Sequence, residues 1–304
     1  MVMARPLYNT MLAEPFVLGV LDNLKTNEEI SKAIQLIVAA EMHLKAVGND
    51  GTYHSTNYRC YGYHEESKRR ELKDTIIKEL LSLKRLEDDD DIALGKGGAL
   101  PRETQEEPTN SAKSGSQAFI IIGLPASGKS GIASKIADKY GAIILDSDYA
   151  KRKLPEFTSE NFGASVVHEE ASAIIFGDNS EDFSLMSICM AAKLNIIIPK
   201  IGNNAGKIVN LAETLNEAGY FVHLILVSID RKLATQRAYI RFKDSKRYVP
   251  LSLILDVYGN DPVLTYYRIR NKTCFQSCGK INTDKFPGKV IQATRHSPLG
   301  LFKQ

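Results

Sequence analysis

The chain has 304 residues, 43% of them hydrophobic and 25% charged, which suits one large globular domain or one domain with a smaller companion and excludes a fibre or a wholly disordered chain. Lys plus Arg number 39 and Asp plus Glu 36, so the formal net charge of +3 gives no reason to expect a nucleic-acid or membrane partner. Four scattered cysteines exclude a disulfide scaffold, no apolar run reaches bilayer length, and Pro6, Glu14 and Pro15 make a poor secretory leader, so a cytoplasmic location is expected.

Residues 1–88 read as a helical region. Thr26 followed three residues later by Glu29 has the form of a capping box, and Ile30, Ala33, Ile34, Ile37 and Val38 then recur at helix spacing. Residues 48–63 read as a loop. Its Tyr53, Tyr58, Tyr61 and Tyr63, interleaved with His54 and Arg59, suit packing, with base stacking as the alternative. A second helix is expected over about 65–86, with Leu72, Ile76, Leu80 and Leu83 as its stripe. Residues 89–116 read as a linker rich in Gly, Pro and Ser; the acidic run Asp88–Asp91 at its start reads as a solvated loop or, less simply, as metal ligands.

From 117 to 304 strands and helices alternate. Short apolar runs at 118–122, 142–145, 195–198, 224–227 and 290–291 suit strands, and 130–139 and the stretch ending near Gly219 suit helices. This is an α/β pattern: a mostly parallel sheet with helices on both faces, plus a small N-terminal all-α region.

The strongest chemical signal is Gly123-Leu124-Pro125-Ala126-Ser127-Gly128-Lys129-Ser130, a match to G-x-x-x-x-G-K-S/T between a predicted strand and a predicted helix. The glycines let the backbone approach phosphate oxygens, and successive amides cradle the anion at a helix N-terminus. Lys129 supplies a point charge for the β- and γ-phosphates, and the Ser130 hydroxyl suits Mg²⁺. The bland alternative is a Gly-rich turn carrying a surface lysine.

Asp146-Ser147-Asp148 follows the second predicted strand, where carboxylates face the ligand crevice of an open α/β sheet. One carboxylate suits a general base and the other a magnesium ligand; continued strand alternation would put both on one side, and a helix N-cap before Tyr149 is the competing reading. His168-Glu169-Glu170 starts a predicted helix, where at most one of the two glutamates can face a site. Arg237, Arg241, Lys243, Lys246 and Arg247 form a basic cluster, suited to a transferring phosphoryl group or simply to a solvated helix. Cys274 and Cys278 have no second ligand pair nearby and read as a buried or loop thiol pair.

In this order the motifs I-I-I-G-L-P-A-S-G-K-S, I-I-L-D-S-D-Y-A-K, N-I-I-I-P-K-I-G-N-N and A-Y-I-R-F-K-D-S-K-R-Y-V-P make residues 119–290 resemble the zeta-toxin family of P-loop kinases. The resemblance implies ATP and Mg²⁺ as cofactors. It implies nucleotide binding by Gly123, Pro125, Ala126, Ser127, Gly128, Lys129, Ser130 and Gly131, and metal binding by Ser130 and Asp146. Asp148 is then the general base, and Lys129, Arg241 and Arg247 surround the γ-phosphoryl group. It further implies a bacterial toxin–antitoxin setting and the 3′-hydroxyl of UDP-N-acetylglucosamine as acceptor.

The chain departs from the family where Glu-Gly-Thr-Gly-Arg would hold the sugar nucleotide, because Pro199-Lys200-Ile201-Gly202-Asn203 stands there and Lys200 lacks an arginine's fork. Glu169, Glu170, Lys200 and Asn203 are the substrate-side candidates. Another nucleotide-type acceptor, or a non-catalytic nucleotide-binding regulatory module, are the alternative functions. The expected partners are the small-molecule substrate and either a separate antitoxin or the chain's own N-terminal region acting as an inhibitor or partner-binding domain.

Overall fold

The computed structural model describes residues 4–47, 51–86, 95–102, 112–159, 163–178, 183–245 and 248–302. Asp88–Asp91, Lys246 and Arg247 lie outside the described residues.

Among the described residues, three α-helices come first: α1 (Thr10–Val20), α2 (Asn27–Val47) and α3 (Glu66–Ser82). The α/β part runs β1 (Gln117–Ile122), α4 (Lys129–Tyr140), β2 (Ile143–Ile144), α5 (Ser147–Lys151), α6 (Glu156–Ser159), α7 (Gly163–Val166), α8 (His168–Phe176) and α9 (Leu185–Ala191). It continues with β3 (Ile196–Lys200), α10 (Ala205–Glu217), β4 (Phe221–Ser228), α11 (Arg231–Ser245), a π-helix (Leu253–Tyr258), α12 (Asp261–Ile269), β5 (Ser277–Asn282) and β6 (Lys289–Ala293).

The strands form one sheet in the order β2-β3-β1-β4-β5-β6, parallel except for the antiparallel edge strand β6. The period of two along β1 divides its side chains between two cores. Ala118, Ile120 and Ile122 join α3, α8, α9, α10 and α12 on one face, while Phe119 and Ile121 join Ile132, Ala133, Ile136 and Ala137 of α4 on the other. Burial on both faces is why these strands read as unbroken apolar runs. The chain leaves β1 toward β2 and leaves β3 toward β4 on the opposite side, so the topological switch lies between the carboxyl ends of β1 and β3.

The capping box forms as expected: Thr26 Oγ1 accepts from the Glu29 amide at 3.1 Å and Glu29 Oε2 accepts from the Thr26 amide at 3.0 Å. Among the elements that escaped the sequence reading are α1 and β5. α1 carries Ala13, Phe16, Val17 and Val20 on its buried face and is capped by Asn9, but Pro15 inside it masks the pattern. β5 reads Ser-Cys-Gly-Lys-Ile-Asn, poor in strand formers, because Ser297 and Leu299 press on it: a side chain on Gly279 would come within 2.6 Å of Ser297 Oγ and 2.7 Å of Leu299 Cδ1. Cys274 and Cys278 are buried thiols, and burial pushes Cys278 up to about 11.

The helices of the N-terminal region divide in their packing. Ile76, Ile77 and Leu80 of α3 belong to the sheet's own core, whereas α1 and α2 pack with α11, Tyr248 and the π-helix in a separate cluster. Within the stretch read as a linker, residues 95–102 are seated. The Ala99 amide donates to Leu80 O at 2.9 Å, the Arg102 amide donates to Asp138 Oδ1 at 2.8 Å, and the buried Arg85 guanidinium also binds Asp138 on α4. The loop of residues 51–63 is held against α7 and α8: the Thr52 amide donates to Val166 O at 3.0 Å, Tyr53 donates to Asp178 at 2.5 Å, and His54 pairs with Glu169 at 2.5 Å. The tyrosine-rich stretch therefore contains an anchoring segment.

Candidate active site

The loop from Gly123 to Gly128 leaves β1 and enters α4. Ala126 and Gly128 take positive φ, +59° and +84°, the left-handed turns from which anion nests are built. Gly123 is required for a different reason: a Cβ there would sit 2.5 Å from Val227 O and 2.9 Å from Ser127 Oγ. Its amide donates to Lys200 O at 3.3 Å and Ile201 O at 3.1 Å, which ties the phosphate loop to the end of β3. Gly202, at φ +80°, makes the matching turn, where a side chain would strike Ile122 at 2.7 Å. Part of the Pro199–Asn203 departure is thus a close backbone approach between neighbouring strand ends. Ser127 is fully buried behind the loop.

Lys129 donates to the loop's own carbonyls, Gly123 O at 2.8 Å and Leu124 O at 2.6 Å. Burial pushes its ammonium down to about 8; Asp146 opposes the shift, Arg241 adds to it, and Asp148 opposes it. The P-loop lysine, both aspartates and the arginine of α11 therefore lie within one another's fields. An ammonium poised near 8 loses its charge above that pH in the nucleotide-free protein. The affinity for ATP is expected to fall about tenfold per pH unit above pH 8 until the value in the complex is reached, because phosphate binds the protonated form. Titration calorimetry between pH 7 and 10 checks this, and a flat affinity would show that the ammonium keeps its proton through that range.

β2 ends at Ile144, so Asp146 and Asp148 are not brought together by strand alternation. Asp146 is the N-cap of α5, its Oδ1 accepting from the Asp148 amide at 3.0 Å, and Asp148 lies in that helix's first turn. The helix start replaces the strand in placing both carboxylates where their charge reaches Lys129. Asp148 also pairs with Lys151, one turn on, at 3.2 Å. The i,i+3 spacing carried that signal in the sequence.

His168 opens α8 beside this pair. Burial pushes its ring below the ordinary histidine range, Lys151 adds to the shift, and Asp148 and Glu169 oppose it. Glu169 points outward to His54. Glu170 is not at the site: it is 0% exposed, with its carboxylate gripped by Arg69 of α3 at 2.7 and 2.6 Å. The 100° step between helix neighbours sends one glutamate out and the other into the core.

Lys200, at the end of β3, lies 3.4 Å from the centre of the Phe176 ring; burial pushes it down to about 8 against the pull of Asp146. Asp146 is thus felt by Lys129 and Lys200 alike. Asn203 is exposed, one residue ahead of the N-cap Asn204. Arg237 on α11 donates to Asp284 O at 3.2 Å, so it holds the loop after β5 rather than standing beside Lys129. Thr283 of that loop, unforeseen from sequence, donates to Ser127 O at 2.7 Å and braces the phosphate loop.

Pro125 and Ala126 are half-buried in the loop, and Ser130 and Gly131 are exposed in the first turn of α4. Ser130 and Asp146 offer oxygen donors only. That chemistry fits Mg²⁺, which keeps waters and takes further oxygens from phosphate. Among the described residues, no cluster of three or more His, Cys, Asp or Glu side chains could hold a metal by itself, and no helix is long and apolar enough to cross a membrane.

A family model described as Zeta toxin matches residues 102–266, more than half of the chain. Among solved structures, a chain from the PezAT chromosomal toxin-antitoxin system of Streptococcus pneumoniae superposes with a TM-score of 0.54 at 14% identity, over 78% of this chain and 86% of that one. The native AvrRxo1-ORF1:ORF2 complex gives a TM-score of 0.51 at 13% identity, over 84% and 82%, and the same complex with ATP gives 0.50 at 14%, over 78% and 70%. At these identities the likeness is one of fold. Curated protein sequences give no match.

Proposed function

The chain belongs to the zeta toxin family of P-loop kinases, and from that premise we propose that it transfers the γ-phosphoryl group of ATP to the hydroxyl of a small nucleotide-type acceptor, with UDP-N-acetylglucosamine first among them. The supporting observation is the electrostatic coupling of Lys129, Asp146, Asp148 and Arg241 at the switch between β1 and β3. Asp148 takes the proton of the attacking hydroxyl, and Lys129 and Arg241 face the charge that develops on the phosphoryl oxygens. Arg247 is assigned to the same group from the family motif alone. Ser130 and Asp146 would hold Mg²⁺, which would supply neutralisation of the phosphate charge.

On the acceptor side, Lys200, stacked on Phe176 at the edge of the site, suits an anionic substrate such as a diphosphate. Glu169 and Asn203 remain exposed candidates on that side. Acceptor-dependent ADP release across a panel of nucleotide sugars, nucleosides and dinucleotides tests the reading. Release with none of them, alongside normal ATP binding, would favour a regulatory nucleotide-binding module.

The N-terminal α1–α2 hairpin is proposed as the inhibitor in cis. Its cluster contains Leu124 and, at its edge, Ala126 of the phosphate loop together with Ala238, Tyr239 and Phe242 of α11. Gln236 donates to Val20 O at 2.8 Å, Lys232 pairs with Asp22 at 2.8 Å, and Tyr248 donates to Glu41 at 2.5 Å. A hairpin gripping both the phosphate loop and the arginine helix restrains the two parts that must close on ATP. A separate antitoxin would act on the same surfaces, and the solved neighbours come from complexes described as a toxin-antitoxin system and as AvrRxo1-ORF1:ORF2. Phe16→Asp, at a fully buried position, is expected to release α1 and raise ADP release by about 5–150-fold, the range of ordinary coupling energies. Protease cleavage within α1 reports the release. A rate that stays level once α1 is cleavable would end the inhibitor reading.

A further inference from the structure

The loop joining β5 to β6 stands out because it is held firmly yet presents an apolar ring to solvent. Thr283 Oγ1 donates to Ser127 O at 2.7 Å and to Ser228 O at 3.2 Å, so the loop begins on the phosphate loop itself. Asp284 Oδ1 accepts from the Asp230 amide at 2.8 Å, Asp284 Oδ2 accepts from Asn282 Nδ2 at 2.9 Å, and Asp284 O accepts from Arg237 at 3.2 Å. The base of the loop is therefore pinned to the phosphate loop and, through Asp230 and Arg237, to the start and body of α11. Two residues further on, Phe286 is 98% exposed, more than any other large hydrophobic side chain described. A single exposed aromatic is ordinary on a protein surface. One carried by a loop anchored on an anion nest is better placed for a ligand.

We propose that Phe286 is the base-binding residue of the nucleotide site, its ring stacking on the purine of the phosphoryl donor. This deepens the kinase reading and rests on polyphosphate binding at Lys129. The geometry supplies three reasons. The methyl of Thr283 lies 3.8 Å from where a side chain on Gly128 would begin, so the loop starts beside the cradle. Three residues of chain then reach about 10 Å at most, the span of an α-phosphate and ribose leading away from the β-phosphate. Between them, the first turn of α4 is open: a side chain on Gly131 would meet nothing within 4 Å, which leaves room for the sugar.

The ring's chemistry selects the ligand class. Phe286 has no hydrogen-bonding group and reads the face of a base, not its edge, so larger purines stack better than pyrimidines. Lys285 precedes it in the same loop and adds a cation there. Stacking on one aromatic side chain corresponds to about a 5–150-fold change in affinity.

The whole chain contains no tryptophan, which makes the test direct. Phe286→Ala is expected to weaken ATP and ADP binding by about 5–150-fold and to leave inorganic tripolyphosphate binding at the wild-type level. Phe286→Trp is expected to restore ATP affinity, and its fluorescence, as the only tryptophan, should quench on adding ATP or ADP but not tripolyphosphate. Wild-type ATP affinity in Phe286→Ala, or tryptophan emission unmoved by saturating ATP, overturns the proposal while tripolyphosphate binding still upholds the phosphate-loop reading. Failure of the wild-type chain to bind tripolyphosphate and ATP overturns both. Thermal unfolding of the two variants at the wild-type temperature confirms that a surface change alone is being read.

Discussion

Replacing Asp148 with Asn is expected to lower acceptor-dependent ADP release by about 10²–10⁴-fold, with the Kd for ATP changed by no more than about twofold. The substitution keeps the shape of the side chain and removes its capacity to take a proton. It also keeps the start of α5, because the helix is capped through the Asp148 amide and the Asp146 carboxylate, neither of which changes. Lys151 loses its partner at 3.2 Å, so a small rise in local positive charge accompanies the loss of the base. Lys151→Met separates the two effects: it leaves Asp148 intact and is expected to cost far less. Turnover of Asp148→Asn near the wild-type rate, with any acceptor, would leave the aspartate no part in proton transfer.

Replacing Arg69 with Met is expected to destabilise the fold by about 3–5 kcal/mol. Arg69 reaches from α3 into the α/β part and binds two buried carboxylates, Glu156 at 2.9 and 3.1 Å and Glu170 at 2.7 and 2.6 Å. Arg69 and both glutamates are 0% exposed, so the variant strands two charges where water cannot reach them. Burial pushes the Glu170 carboxyl up, but the hydrogen bonds and charge of Arg69 outweigh it and hold the group below the usual glutamate range.

The sign of the pH dependence follows from that shift. In the wild type this contribution is complete above the ordinary glutamate pKa, about 4.3, and is lost as pH falls through the lower folded value. Without the guanidinium, burial alone acts on the Glu170 carboxyl, which then holds its proton more tightly folded than unfolded, so the variant loses stability as pH rises above that point. Urea unfolding at pH 5 and pH 8 reads both trends. Adding Glu156→Gln and Glu170→Gln to Arg69→Met should recover part of the loss, because no bare charge then stays buried. A single variant as stable as the wild type would show that α3 is not held through Arg69.

The chemical residues were legible where chemistry dictates a contiguous pattern. The phosphate loop needs glycines, a lysine and a hydroxyl at set spacing, and that spacing stands in the chain from Gly123 to Ser130. Thr26 and Glu29 were legible for the same reason, since a capping box closes within four residues. Glu170 was misplaced among the substrate residues because its partner, Arg69, lies 101 residues away. The strand β5 was hidden because its small residues are chosen by Ser297 and Leu299 packing over them, not by strand propensity. Asp146 and Asp148 are neighbours for a reason other than the one expected: a helix start capped by Asp146, rather than a continued strand, sets their positions.

Local spacing by itself determined that this chain builds a mostly parallel α/β sheet, that its first loop after β1 is shaped for phosphate, and that two aspartates follow the next strand. Those features depend on residues within a turn or two of one another, where backbone geometry leaves few choices. Only the tertiary structure decided that α3 is locked into the sheet's core by Arg69, that α1 and α2 lie against the phosphate loop and the arginine helix, and that the β5–β6 loop starts on the phosphate loop through Thr283. Each of these depends on partners dozens to hundreds of residues apart, brought together by burial that no local window of sequence records.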